Sequence, residues 1–312
     1  MSDTPPIIVV GSHAPGIFLR VKRVPRAGET VIGWDFQEPM DGGKGSNQAI
    51  AAARLGAGVS FVGCVGCDRI GDDGERWMRD AGVDTRYLRR SSTTASGIGF
   101  IVLDDDGVPA MVTSMGANAE LTKEDIDEAL AGIDGARVLL TQFEIDPQIA
   151  LYAARAARER GLIAIVNPAP APDSPLAGLD AASILTPNET EAKVLVGLDP
   201  EAPIELELLA RRTRERTDVE QVIVTAGERG AVGADQTGVW TVTPPAVKVV
   251  DTSGAGDVFC AALAVGLVAG HTLRAAAQWA VAVATLSVTR AGTIPAYPTQ
   301  EEVTRFPGAS SS

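Results

Sequence analysis

The chain has 312 residues, enough for one large domain or two smaller ones, and folding should bury roughly 75% of its extended-chain surface. With 45% hydrophobic and 21% charged residues and a mean hydropathy of +0.11, intrinsic disorder and a disulfide-held miniprotein are excluded. Its 40 acidic and 27 basic side chains leave a formal charge of −13, which argues against long-range attraction to nucleic acid or an anionic membrane, so an anionic ligand must be held locally.

The first residues lack a basic region, and the apolar run at 7–10 is too short for a signal-peptide core, so a cytoplasmic protein is expected. From that run onward, short β-branched segments alternate with longer Ala-rich amphipathic ones, the pattern of β-α units around a parallel sheet. Strands are expected at 7–10, 60–62, 138–141, 163–167, 183–185 and 222–225. Helices are expected at 46–55, 75–81, 123–130, 147–160, 189–195, 205–216, 258–269 and 273–288. The predicted fold class is therefore α/β, a doubly wound, mostly parallel sheet flanked by helices.

Two segments break the rhythm, 29–39 and 94–112, the second carrying the turn Asp104-Asp105-Asp106-Gly107. Both read as hairpin strands, which could form a small β-sheet lid, from segments at about 14–39 and 94–113, over the strand ends where open α/β sheets bind ligands. The apolar stretch 258–268 falls short of the roughly 18 residues a membrane span needs. Cys64, Cys67 and Cys260 fit a reduced protein, and Cys64-Val65-Gly66-Cys67, with no second pair, reads as a core strand entering a turn rather than a zinc site.

The strongest local signal is Asp251-Thr252-Ser253-Gly254-Ala255-Gly256-Asp257, directly before an apolar helix. Without side chains at Gly254 and Gly256, backbone N–H groups at a helix start can approach an anion, and the helix dipole favours it there. Asp257 at the same point can accept a proton from an attacking hydroxyl; the plainer reading is a helix-capping Asp. A second glycine cluster, Asp41-Gly42-Gly43-Lys44-Gly45-Ser46-Asn47, offers backbone donors, a lysine and an amide suited to a polyhydroxylated ligand. It is not a Walker A loop, because Gly45 follows Lys44 where Ser or Thr is required.

Thr186-Pro187-Asn188-Glu189-Thr190-Glu191 follows a strand and sets an amide and two carboxylates on a first helical turn, a place for water-mediated Mg²⁺ contact. Thr225-Ala226-Gly227-Glu228-Arg229-Gly230 could let backbone approach a nucleotide. Each is also an ordinary connection. With only His13 and His271 and no nucleophile-elbow motif, triad hydrolysis is disfavoured. A dinucleotide fingerprint is absent, since Phe259 stands at the third-glycine position.

Taken together, in this order, these segments resemble the ribokinase-like (PfkB) carbohydrate kinase family, its ribokinase branch above all. The resemblance runs from Val24-Pro25-Arg26-Ala27-Gly28-Glu29-Thr30 through Gly42–Asn47-Gln48-Ala49, Gly116-Ala117-Asn118-Ala119 and Asn167-Pro168-Ala169-Pro170 to Asp251–Asp257 and Ser287-Val288-Thr289-Arg290. It implies one kinase domain over 1–312, a lid often shared in a homodimer, and phosphorylation of a sugar's primary hydroxyl by ATP with Mg²⁺ and K⁺. Asp257 is then the expected base, and Gly254, Ala255 and Gly256 the anion hole. Gly43, Lys44, Asn47 and Glu144 are the expected sugar contacts. Asn188, Thr225, Gly227, Gly230 and Gly256 face the nucleotide, and Glu191 the Mg²⁺ waters. Asp251, Ser253, Ser287, Arg290 and Gly292 are the expected monovalent-cation site.

The chain departs from that pattern at Gly16, where the branch carries a sugar-binding Asp, at Val281 for an adenine-side Asn and at Ala296 for a cation-site Ser. Asp41, an apparent extra residue before the glycines, is expected to supply the lost carboxylate from another side, with His13 a weaker candidate. Its plainer reading is a turn residue capping the helix that begins near Ser46. The alternatives are a kinase for another polyol, ketose or nucleoside, and a catalytically silent binding protein.

Overall fold

Strand β1 (Ile7–Val10) is an uninterrupted β-branched run, buried along its length because it lies in the middle of a parallel sheet with helices on both faces. The structure, a computed structural model, describes residues 6–37, 41–105, 109–172 and 176–309. Parts of the expected 29–39 strand and of the 104–107 turn lie outside the described residues.

The chain continues through β2 (Gly16–Val21), β3 (Gly33–Gln37), α1 (Gly43–Arg54), β4 (Val59–Gly66), α2 (Arg69–Asp80), β5 (Asp84–Ser91), β6 (Ile98–Leu103) and β7 (Pro109–Ser114). It proceeds through α3 (Lys123–Gly132), β8 (Val138–Gln142), α4 (Pro147–Glu159), β9 (Ile163–Asn167), β10 (Ile184–Leu185), α5 (Glu189–Leu195) and α6 (Leu206–Thr217). The last elements are β11 (Gln221–Thr225), β12 (Ala231–Asp235), β13 (Gly238–Val242), α7 (Ala255–Val268), α8 (Leu273–Ser287) and α9 (Gln300–Arg305).

The large sheet has nine strands in the order β13-β12-β11-β10-β9-β8-β1-β4-β5, all running the same way except β12, which is antiparallel to both its neighbours near one edge. The chain winds outward from β1 through β4 to β5, then returns to β8 on the other side of β1 and winds away through β11. The order therefore reverses between β1 and β8, and such a switch point opens a crevice at the carboxyl ends of the strands. One apolar core fills the face under α1, α7 and α8, and a second fills the face under α3, α4 and α6. Helix α7 is apolar nearly all round because it lies between the sheet and α8.

The smaller sheet has the order β3-β2-β6-β7. Segment 94–112 does form a hairpin, β6–β7, but 29–39 contributes one strand, whose partner is β2. Helix α7 begins three residues before its expected start, so Gly256 and Asp257 stand in its first turn.

Candidate active site

Gly254 has φ 72°, a left-handed conformation, and a Cβ there would lie 2.6 Å from Thr293 Cγ2 and 2.7 Å from the Tyr297 hydroxyl. Only glycine fits. At Gly256 the situation is the opposite, because a Cβ would meet nothing within 4 Å and the residue faces outward. First-turn N–H groups of a helix have no intrahelical acceptors, so this open face is a place for an anion.

Asp257 does not cap α7, whose N-terminus has no side-chain cap. Its carboxylate instead accepts from Asn47 Nδ2 at 3.1 Å and from Gln48 Nε2 at 3.0 Å, both on α1, and it is only 6% exposed. Burial pushes the Asp257 carboxyl above its ordinary range, while Lys44 and the two amide donors pull it back.

The 42–47 turn is pressed against the end of β1, since a Cβ on Gly45 would collide with the backbone of Ser12. Gly43 also has a positive φ, 77°, and faces Ala14 and Glu144. Gly42 donates its N–H to Asn47 Oδ1 at 2.9 Å, while Lys44 N–H and Ser12 Oγ both donate to Glu144 Oε2 at 2.8 Å. The structure thus joins Lys44 and Glu144, 100 residues apart in the chain. Burial would lower the Lys44 pKa, but Asp257, Glu144 and Glu191 around it win, so the ammonium is held charged. Burial raises Glu144 and Glu191, with Lys44 opposing in each.

Asp41 does not cap α1, which has no side-chain cap at Gly42. Its Oδ1 accepts the N–H of Gly16 at 2.7 Å, and burial raises its carboxyl pKa. His13, the weaker candidate, is turned inward onto Ser46 and Trp77.

Asn188 caps α5 reciprocally with Glu191: Asn188 N–H and Nδ2 donate to Glu191, and Glu191 N–H donates to Asn188 Oδ1. Both Glu191 oxygens are thereby engaged, which suits contact with Mg²⁺ through water rather than direct ligation. A β-bridge sets Asn188 beside Thr225, joining the two expected nucleotide segments. Gly227 at φ 55° is open on its Cβ side, whereas Gly230 at φ 80° packs against the Val242 carbonyl.

Asp251 ties two loops together, accepting Ser253 N–H on Oδ1 and Gly292 N–H on Oδ2, both at 2.9 Å. Burial acts to raise its pKa, but these amides outweigh it and the carboxyl is held low. Ser287 accepts Arg290 N–H at 3.2 Å and Arg290 pairs with Glu302 at 2.7 Å, so Arg290 can offer a cation only its carbonyl. Asp251 thus presents carboxylate oxygens between these two loops, the kind of donor a hard cation takes.

The sequence reading passed over Ser12, Gln142 and Tyr297. Ser12 had a local signal, its position at the carboxyl end of the first strand beside a glycine. Gln142 ends an apolar strand, where a polar residue is ordinary, and Tyr297 has no motif around it.

A profile of the pfkB family carbohydrate kinases matches residues 26–300. The ribokinase of Bacillus subtilis is 37% identical over 297 residues, 95% of this chain and 97% of its own. The deoxyribokinase of Salmonella typhi is 32% identical over 305 residues, 96% of this chain and 98% of its own. The structure of Arabidopsis thaliana ribokinase complexed with ribose and ATP superimposes with a TM-score of 0.87 at 32% identity, covering 97% of this chain and 98% of that one. With its fold, the glycine-framed Asp257 and this match over nearly its whole length, the chain belongs to the pfkB family of carbohydrate kinases.

Proposed function

We propose that the protein transfers the γ-phosphoryl group of ATP to a primary hydroxyl of a pentose or related sugar, with the whole chain acting as one kinase domain and the small sheet as its lid. The observation that carries this reading is Asp257, buried, held by Asn47 and Gln48, and set on the open first turn of α7 beside Lys44.

Asp257 orients the attacking hydroxyl and accepts its proton. Gly254, Ala255 and Gly256 form the anion hole at the start of α7, where the helix dipole favours the developing charge on the transferred group; the Ala255 N–H, which donates to the Thr252 carbonyl at 3.2 Å, would be shared with it. Lys44, held charged by its carboxylate neighbours, adds a cation to the same pocket. Gly43, Asn47, Glu144 and Asp41 bind the sugar, while Asn188, Thr225, Gly227 and Gly230 line the nucleotide side. Glu191 would hold Mg²⁺ through water, and Asp251, Ser253, Ser287, Arg290 and Gly292 would hold K⁺. When bound, Mg²⁺ neutralises charge on the phosphates.

Ribokinase and deoxyribokinase relatives favour a pentose, and the carboxylate at 41 rather than 16 favours a hydroxyl pattern approached from the α1 side. Exposed Ile32, Trp34, Phe36, Phe100, Met111 and Val112 on the small sheet support a homodimer through the lid, for which the mass in solution should be twice 32.3 kDa. The free thiols favour a cytoplasmic location.

The test is ADP release over a panel of pentoses, hexoses, polyols and nucleosides, with Asp257→Asn beside the wild type. Asp257→Asn should lower kcat at least about 100-fold with ATP binding kept. Turnover of that variant near the wild-type rate would remove Asp257 from the mechanism, and no turnover of any panel member would leave a silent binding protein.

A further inference from the structure

Asp257 is one end of a buried amide network that crosses the carboxyl ends of the strands. Gln48 Nε2 donates to Asp257 Oδ1 at 3.0 Å and to Asn167 Oδ1 at 3.3 Å. Gln142 Nε2 donates to Gln48 Oε1 at 2.5 Å, and Asn167 Nδ2 donates to the Thr186 carbonyl at 2.8 Å. Gln48 and Gln142 are both fully buried.

The polarity of this network is fixed from outside it. Thr186 presents a carbonyl, so Asn167 must turn its nitrogen there and its oxygen toward Gln48. That oxygen requires an N–H, so Gln48 points its nitrogen at Asn167 and at the adjacent Asp257. The Gln48 oxygen then needs a donor, and Gln142 supplies it. Gln142 Oε1 rests against Gly11 with no hydrogen-bond partner among the described residues, so the bond to Gln48 is what orients this side chain.

We propose that Gln142 is a positioning residue for phosphoryl transfer, acting through Gln48 to keep an N–H on Asp257 and so aim its carboxylate at the attacking hydroxyl. The proposal rests on Asp257 being the base. A buried carboxylate left without such donors reverts toward its neutral form, which cannot take the proton. The other ionisable groups around Asp257 are Lys44, Asp41, Glu144, Glu191, Cys260 and Tyr297, and none of them donates a hydrogen bond to it among the described residues.

Two substitutions of the full-length protein test this. Gln142→Met keeps the bulk and removes the donor, and it should lower kcat about tenfold with KM for ATP and sugar nearly unchanged. Gln142→Glu reproduces the donor only while its carboxyl is protonated. Once ionised, it draws the Gln48 nitrogen to itself and turns the Gln48 oxygen onto Asp257. Its kcat should therefore fall with rising pH through a range where the wild type is level or rising, a signature that loss of packing does not give. If Gln142→Glu does not fold, Gln142→Met decides alone. Wild-type kcat in Gln142→Met, or a wild-type pH profile in Gln142→Glu, overturns the proposal. An inactive Asp257→Asn beside an unaffected Gln142→Met confines the failure to the network, whereas an active Asp257→Asn removes the base itself.

Discussion

The carboxylate of Asp41 lies against the place where a side chain on Gly16 would begin. Gly16 donates its N–H to Asp41 Oδ1 at 2.7 Å, and a Cβ on Gly16 would lie 3.3 and 3.4 Å from the two Asp41 oxygens. In the proposed function this carboxylate, supplied from the turn before α1, takes the place of one on β2. Asp41→Ala should raise KM for the best sugar of the panel by about tenfold, equivalent to about 1.4 kcal/mol, with little change in Tm. Gly16→Asp alone should also weaken sugar binding, because it crowds two like charges, and adding Asp41→Ala to it should relieve that crowding and change the sugar preference. Steady-state kinetics across the panel checks both, and an unchanged KM in Asp41→Ala would remove Asp41 from the pocket.

Gly256 separates a ligand role from a structural one. It lies in the first turn of α7, its φ is not left-handed, and a Cβ there touches nothing, so Gly256→Ala should fold and gain about 0.5–1 kcal/mol of helix stability. If the transferred phosphoryl group occupies that open space, the same methyl group should lower kcat by roughly 100-fold. Thermal melting and turnover are then expected to move in opposite directions. An active Gly256→Ala would show that the open face is not used.

Continuous apolar strands were legible in the sequence: Ile7–Val10, Ile163–Asn167 and helix Glu189–Leu195 lie where their patterns place them, to the residue. Strand β5 was not, because Arg89 and Arg90 read as solvent-exposed until Asp125 and Glu75 are brought beside them by folding. Strand β12, Ala-Val-Gly-Ala-Asp, lacks the β-branched weight that marks a strand and is formed by pairing between β11 and β13. At the site the glycine loops were visible because a helix start with glycines is a local signal. Gln142 was invisible because its meaning lies in Gln48, 94 residues away.

The cation site proposed at Asp251 predicts a dependence on monovalent cations. Its carboxylate already joins the loop before α7 to Gly292, and each oxygen keeps a further lone pair for a cation. Potassium should raise both kcat and Tm more than sodium at equal ionic strength, and Asp251→Asn should shrink the difference. Identical rates and melting in potassium, sodium and a bulky organic cation would discard the site.

His13 makes stability depend on pH. The ring is 1% exposed, stacked edge-on to Trp77 with centroids 6.1 Å apart, and its Nδ1 lies 2.9 Å from Ser46 Oγ. The Ser46 hydroxyl donates to the Gly42 carbonyl at 2.8 Å, so it accepts from His13, which assigns the proton to Nδ1, and Nε2 has no hydrogen-bond partner of normal geometry among the described residues. Burial drives the ring's pKa from 6.5 to about 4, although the Ile70 backbone and then Asp68 and Asp73 act the other way. Between those values the unfolded chain holds a proton that the folded chain lacks. The stability from neutral His13 is therefore fully present above pH 6.5 and is lost as pH falls through about 4, at about 1.4 kcal/mol per pH unit, or about 3 kcal/mol in all. Asp41, Glu144, Glu191 and Asp257 are raised by burial and titrate with the opposite sign, so the comparison must be with His13→Asn, whose amide can still donate to Ser46. Denaturant unfolding at pH 7, 5.5 and 4 should show the wild type losing about 3 kcal/mol relative to His13→Asn. A difference that stays constant with pH would mean that the ring is charged, or reaches water, under the 42–46 turn that carries the sugar contacts.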